Sequence, residues 1–285
     1  MKMTALAHAK LNLHLAVGAL QSDGYHRLQS LFARLELADT IDVHVSPGPF
    51  SVSVTGLEAY CKSGDDTMSK TARLWHEATG SDVQLSVSIE KRIAVQSGLG
   101  GGSSDAAALL SLLQSLSPLT DSQRMAIALG VGSDVPFFLN GGNAAVVEGR
   151  GEQVTAIPSR ALDVLLVMPK DFSISTKEAY AHLDRLRTNV APSFVDPSEL
   201  VTIYNKSCPT WAGSLYNDFY LTVSQMPIYQ ALAALGRDLS GYSTISGSGA
   251  CWYFVSEDAS SVAEARKRVQ RDLASQVVCW QSRLL

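Results

Sequence analysis

Residues Gly98 to Ala107 read GLGGGSSDAA, and no other stretch limits the fold of this 285-residue chain so tightly. Closely spaced glycines weaken any helix or strand interior, so they mark a turn. Beyond them Ala106, Leu109, Leu110 and Leu113 recur at helical spacing. The pattern predicts a helix over Ser104–Leu116 with Ser103 or Ser104 as its N-cap. Backbone N–H groups of Gly98, Leu99, Gly100, Gly101, Gly102, Ser103 and Ser104 can then close around an anion, and the helix dipole adds about half a positive charge there. Phosphate is the ligand class that suits such a turn. No Gly-Lys pair exists in the chain, so the turn is not a Walker loop, and Ser103 stands where a dinucleotide fingerprint needs Gly or Ala. Asp105, acidic beside an anion position, reads as serving the helix N-terminus or a metal.

Length and charge narrow the setting of this turn. The chain is about twice the commonest domain size, which favours two domains. With 23 Lys plus Arg against 27 Asp plus Glu the formal net charge is −4, so no broad positive field exists to hold nucleic acid or anionic lipid. The best apolar run, Ala161 to Met168, is far short of a membrane span and is interrupted by Asp163. Lys10, Asn12 and His14 break up the N-terminal apolar residues, so no signal peptide is expected and the expected location is cytoplasmic. Cys61, Cys208, Cys251 and Cys279 form no CxxC pair and read as reduced thiols.

Strand patterns fall at 11–17, 31–37, 40–45, 83–89, 143–147, 164–167, 244–246, 252–255 and 276–280. Helical patterns fall at 67–79, 104–116, 121–129, 176–186, 214–224, 228–235 and 259–273. The order lacks steady strand–helix alternation, which favours α+β. Pro158, after the charged Gly149–Glu152 turn, is the expected domain boundary, giving domains 1–158 and 159–285.

Four further clusters hold candidate residues. From Lys10 the chain alternates strictly, with Leu11, Leu13, Leu15 and Val17 on one face and Lys10, Asn12 and His14 on the other; taken alone the polar face reads as solvated, and His14 stays with that reading. In GVGSDVPFF, Gly130 to Phe138, Asp134 is either a turn residue or a carboxylate base against an apolar wall. DGYHRLQSLF places Tyr25 and His26 just after Gly24, as a base-binding pair or a half-buried loop pair. SGSGAC, from Ser246 to Cys251, is a second glycine loop between strands, which a hairpin explains equally well.

Together AKLNL from Ala9, DGYH from Asp23, SGLGGGSSDAA from Ser97, GSDVPFF from Gly132, EGRGE from Glu148 and SGSGAC from Ser246 resemble the GHMP kinases, and the resemblance runs through most of the chain. It implies a two-domain α+β fold with the active site in the interdomain cleft, residues 1–158 carrying ATP and catalysis and 159–285 completing the substrate cleft. AKLNL and GYH resemble the branch of the family that phosphorylates the 2-hydroxyl of a diphosphocytidyl methylerythritol in non-mevalonate isoprenoid precursor synthesis. By that resemblance Lys10 and Asp134 are the catalytic pair, and Gly98 to Ser104 hold the phosphates of ATP with Mg²⁺. Asn12, Tyr25, His26, Ser246, Gly247, Ser248 and Gly249 meet a small-molecule substrate carrying cytidine diphosphate. Ala94 stands where the family usually has proline, and Phe219–Tyr220 follow Asn217–Asp218 where an aliphatic and an acidic or amide residue are usual. The alternatives are another GHMP kinase, of homoserine or mevalonate type, or a catalytically silent relative that only binds ligand.

Overall fold

Alternating apolar residues carry the chain through two long strands, β1 (Lys2–Leu20) and β2 (His26–Pro47), which pair with each other. Between them Gly24 takes a φ of +82°, and the Tyr25 N–H donates to Asp23 Oδ1 at 3.0 Å. The computed structural model describes residues 1–139, 142–170, 172, 174–187 and 194–285. The chain divides into two compact units: Met1–Ala9, Leu37–Val95 and Gly100–Gly142 form the first, and Lys10–Glu36, Gln96–Leu99 and Asn143–Leu285 the second. Pro158 lies inside the second unit. Both units are assembled by pairing of distant segments, which leaves no local composition signal at a boundary.

In the first unit the end of β2 pairs antiparallel with β4 (Val83–Glu90), and β3 (Ser51–Thr55) adds parallel to β4. Leu85, Val87 and Ile89 alternate from β4 into a core with Ile41 and Val43. Trp75 from α1 (Thr67–Thr79) and Leu109, Leu110 and Leu113 from α2 (Gly101–Gln114) complete it. Asp66 caps α1 by accepting the Ser69 N–H at 2.7 Å, and left-handed Gly80 ends it, so this helix has the predicted limits. After α2 come α3 (Asp121–Val131), opened by a Thr120–Gln123 capping box, and the short α4 (Val135–Leu139).

The predicted start of α2 is corrected. Neither Ser103 nor Ser104 caps it: left-handed Gly100 is the N-cap, with no side-chain hydrogen bond, and the Ser104 N–H already donates to the Gly100 carbonyl at 2.9 Å. Gly101 and Gly102 therefore belong to the first helical turn, and only left-handed Gly98 and Gly100 lie ahead of it.

In the second unit the beginning of β2 pairs antiparallel with β5 (Ala144–Gly149), and β5 with β6 (Gln153–Ile157). A separate antiparallel sheet runs in the order β10 (Val277–Arg283), β7 (Asp163–Pro169), β9 (Trp252–Ser256), β8 (Tyr242–Ile245). Helices α5 (Thr176–Leu186), α6 (Pro197–Tyr204), α7 (Tyr220–Val223), α8 (Pro227–Gly236) and α9 (Ala259–Leu273) accompany it. Leu165, Val167, Trp252 and Phe254 from this sheet pack with Phe219, Tyr229, Val262 and Val269. Predominantly antiparallel strands with interspersed helices make the fold α+β.

The helix predicted over 214–224 is replaced by an extended segment and the single turn α7. Asn217 donates its amide to the carbonyls of Ile245 and Gly247, both at 2.9 Å, while Asp218 accepts the Val17 N–H at 2.7 Å and pairs with Arg187. Side chains bonded to other strands this way compete with helix formation. Among the described residues no helix is long and apolar enough to cross a membrane. The cysteines are free, and burial pushes the Cys208 and Cys251 thiols up to about 12.

Candidate active site

The polar face of β1 is not solvated. Lys10, Asn12 and His14 are 3%, 2% and 1% exposed, because both faces of this strand are covered; alternation separates two faces without saying that one is wet. Buried polar groups need partners, and those of Lys10 and Asn12 come from this face and from β2. The Lys10 ammonium donates to Asn12 Oδ1 and lies 4.6 Å from the centre of the Phe32 ring. Asn12 Nδ2 donates to Ser30 Oγ at 2.9 Å, and the Ser30 hydroxyl in turn donates to the His14 carbonyl. His14 accepts the Tyr216 N–H on Nδ1 at 3.4 Å, and burial holds the imidazole down at about 4. Ser30 and Phe32 were not among the predicted site residues; their signal is the i, i+2 spacing that puts them on one face of β2.

Three segments far apart in the chain meet behind Lys10. Its backbone N–H donates to the Leu99 carbonyl at 2.9 Å. The Asn12 N–H reaches Ser246 Oγ at 3.3 Å, and that hydroxyl donates to the Gly98 carbonyl at 3.0 Å. A Cβ on Gly98, whose φ is +78°, would overlap the Ser246 carbonyl, so only glycine permits this approach. Ser246 is fully buried and spends its hydroxyl on these backbone groups, whereas Ser248 Oγ lies 3.3 Å from Thr176 Oγ1. Tyr253, also outside the predicted set, donates its hydroxyl to the Asn12 carbonyl at 3.0 Å.

Near the β1–β2 turn, Tyr25 is 48% exposed, with the Arg150 guanidinium 3.5 Å from its ring centre. His26 Nδ1 lies 2.7 Å from the Gly18 carbonyl, which can only accept, so Nδ1 carries the proton. Nε2 is 3.5 Å from Asp184 Oδ2, and the Tyr180 ring stacks on the imidazole at 4.9 Å between centres. Tyr180 was missed because its helix is amphipathic and gives no sign of which aromatic faces a site.

The first unit holds Gly100 to Ser104, the uncapped turn of α2. Thr67 Oγ1 donates to the Gly102 carbonyl at 3.0 Å. Its neighbour Asp66 lines a cleft of about 550 Å³ with Val54, Leu57, Glu58, Cys61 and Lys62. Asp134 is half-buried and immediately precedes α4. Lys10 thus belongs to the second unit and Asp134 to the first. No cluster of three His, Cys, Asp or Glu able to hold a metal occurs among the described residues.

The pattern of the GHMP kinases N terminal domain matches residues 66–142, from the cap of α1 through the glycine turn to just past α4. A 4-diphosphocytidyl-2-C-methyl-D-erythritol kinase of Anaeromyxobacter sp. (strain K) is 41% identical over 194 residues, 66% of this chain; the matched part spans 61% of that relative's length. The protein of the same name from Treponema pallidum (strain Nichols) is 35% identical over 286 residues, covering 96% of this chain and 95% of its own. The chain belongs to the GHMP kinase family. This GHMP kinase also superimposes on a crystal structure of 4-(cytidine 5'-diphospho)-2C-methyl-D-erythritol kinase with a TM-score of 0.75 and 30% identity, over 99% of both chains. Within the GHMP kinase pattern fall Gly98 to Ser104 and Asp134, while Lys10, Asn12, Tyr25 and His26 precede it and Ser246 to Gly249 follow it.

Proposed function

We propose that the chain is an ATP-dependent kinase that phosphorylates the 2-hydroxyl of 4-diphosphocytidyl-2-C-methyl-D-erythritol, a step of non-mevalonate isoprenoid precursor synthesis, in the cytoplasm. Relatives carrying that enzyme's name at 33–41% identity support the reading. The observation that carries it is the setting of His26: its Nδ1 donates to the Gly18 carbonyl, which leaves Nε2, 3.5 Å from Asp184 Oδ2, as the ring nitrogen that can accept from a base. The exocyclic amino group of cytosine donates to such a nitrogen, whereas uracil presents a carbonyl in that place. Tyr25, backed by Arg150, supplies the ring on which a base stacks.

Gly98 to Ser104 take the phosphates of ATP, with the uncapped amides of the first α2 turn as donors. The cleft beside Asp66 takes the nucleoside end. Mg²⁺ would be held beside Gly98 to Ser104 chiefly through the phosphates' own oxygens, and would offset their negative charge. In the transfer the substrate hydroxyl oxygen bonds to the γ-phosphorus, the bond from that phosphorus to the β,γ-bridging oxygen breaks, and ADP leaves. Asp134 accepts the hydroxyl proton. Lys10, aligned by Asn12, offsets the charge of the moving phosphoryl group. Asn12 and the Ser246–Gly249 loop hold the substrate side, Ser246 acting through the backbone groups of Asn12 and Gly98.

Calorimetry with CDP, UDP and MgATP tests the reading. CDP should bind more tightly than UDP, and Tyr25→Ala should weaken CDP binding by about 1 to 3 kcal/mol while sparing MgATP, the range for base stacking on aromatics. Equal affinity for CDP and UDP would remove the substrate assignment.

A further inference from the structure

Behind the first turn of α2 lie three charged side chains that the proposed transfer does not use. The Lys91 ammonium pairs with Asp39 Oδ2 and, at 2.8 Å, with Asp105 Oδ2; all three side chains are less than a tenth exposed. Asp39 spends its other oxygen on the backbone, accepting the Arg92 N–H at 2.5 Å and the Ile93 N–H at 2.8 Å. Asp105 Oδ1, equally buried, has no hydrogen-bond partner. A Cβ built on Gly101 would lie 3.3 Å from Lys91 Nζ and 3.0 Å from Ile93 Cγ2. Gly101 and Asp105 stand four residues apart on one helix, so one face of α2 presents both to Lys91.

We infer that Lys91 is a positioning residue for the phosphate-holding turn, and that Asp105 makes its clamp proton-dependent, so that a nucleoside triphosphate binding at this turn draws one proton onto Asp105 Oδ1. The inference rests on the ATP reading given above. With one ammonium against two carboxylates, the buried cluster is one positive charge short of neutral, and the oxygen without a partner is where a proton can be added. That oxygen belongs to a side chain about one helical turn, roughly 6 Å along the axis, from the amides of Gly101. A polyphosphate there adds negative charge at a distance and burial where repulsion is felt strongly, and protonation of Asp105 relieves it. Burial, opposed by Lys91 and assisted by Asp39, already pushes the Asp105 carboxyl up to about 7, so the proton is available near neutral pH.

Among the described residues, Lys91 and Asp39 are the charged groups that act on Asp105. The buried faces of the helices packed on α2 contribute Met68, Ser69, Thr71, Ala72 and Trp75 from α1 and Ile127 and Ala128 from α3. Those of α4 are Val135 to Phe138, and none of these residues is ionisable.

Calorimetry of MgATP binding in two buffers of different ionisation enthalpy counts the proton. At pH 7.5 with excess Mg²⁺ the nucleotide carries no titrating proton of its own. The wild-type protein should take up a large fraction of one proton per MgATP and none with adenosine, which lacks phosphate; this comparison needs no variant. Asp105→Asn, close in shape and unable to titrate, should bind MgATP without uptake. Relative to that variant, the wild-type dissociation constant should weaken up to about tenfold per pH unit above pH 7. MgATP binding to the wild type with no proton uptake, or equal uptake by both proteins, overturns the clamp and leaves the ATP reading standing. Failure of MgATP to bind the folded wild type overturns both.

Discussion

The Tyr253 hydroxyl donates to the Asn12 carbonyl at 3.0 Å, so a fully buried residue of the second sheet holds the backbone that carries Lys10 and Asn12. Tyr253→Phe keeps the ring and removes only this bond. It should cost about 1 kcal/mol of stability, measured by urea unfolding, and lower kcat with little change in the KM for ATP.

Glycines in the turn differ in what they tolerate. Gly98→Ala should destabilise by about 2 to 4 kcal/mol, because the methyl overlaps the Ser246 carbonyl and φ is +78°. Gly102→Ala meets nothing closer than Thr67 Oγ1 at 3.6 Å and sits in a helix, so it should gain up to about 1 kcal/mol. Thermal melts of the two variants decide. A side chain on Gly101 would point at Ile93 and Lys91, so Gly101→Val acts by displacing them from behind the turn.

Two buried groups give opposite pH dependences. His14 is held down at about 4 against an ordinary 6.5, so the unfolded chain binds the extra proton and stability falls as pH drops from about 6.5 to 4. Asp105 is raised to about 7 from 3.8, so the folded chain holds the extra proton and stability falls as pH rises from about 4 to 7. In the wild type the two slopes offset one another. Asp105→Asn should uncover an acid-sensitive limb, and His14→Phe a limb that weakens toward neutral pH, each approaching about 1.4 kcal/mol per pH unit. Urea midpoints between pH 4.5 and 7.5 would show them.

How much of this was legible in the sequence varies by segment. Helix α1 was, to the residue, because Asp66 and Gly80 punctuate it, and so was α9. Edge strands β3 and β6 were missed: five residues half open to water carry too few apolar positions to stand out. Helix α6 was missed although Asp196–Pro197 is a good start, because it is short and follows a polar, proline-containing stretch. Among the candidate residues, Lys10, Asn12, Tyr25, His26 and the glycine turn stand out by motif, whereas Ser30, Tyr180 and Tyr253 meet them through contacts between distant strands and helices that no local pattern records. The predicted helix over 214–224 failed for the same reason, since Asn217 and Asp218 bond to β1 and to the Ile245–Gly247 segment.

Asp134→Asn keeps shape and removes the proton acceptor. With both ligands still bound, kcat should fall about 10²- to 10⁴-fold, the usual worth of a general base. Lys10→Met should also lower kcat, and the double variant should lose far less than the product of the two losses, because paired catalytic groups act as a unit. Steady-state kinetics with both substrates saturating is the check.

The most direct test of the proposed activity is ³¹P NMR of the purified protein with MgATP and 4-diphosphocytidyl-2-C-methyl-D-erythritol. A new phosphomonoester resonance on the substrate should grow in step with ADP, and neither homoserine nor mevalonate should give one. ATP left intact in the presence of the diphosphocytidyl substrate, or a phosphomonoester formed on homoserine or mevalonate instead, would contradict the account.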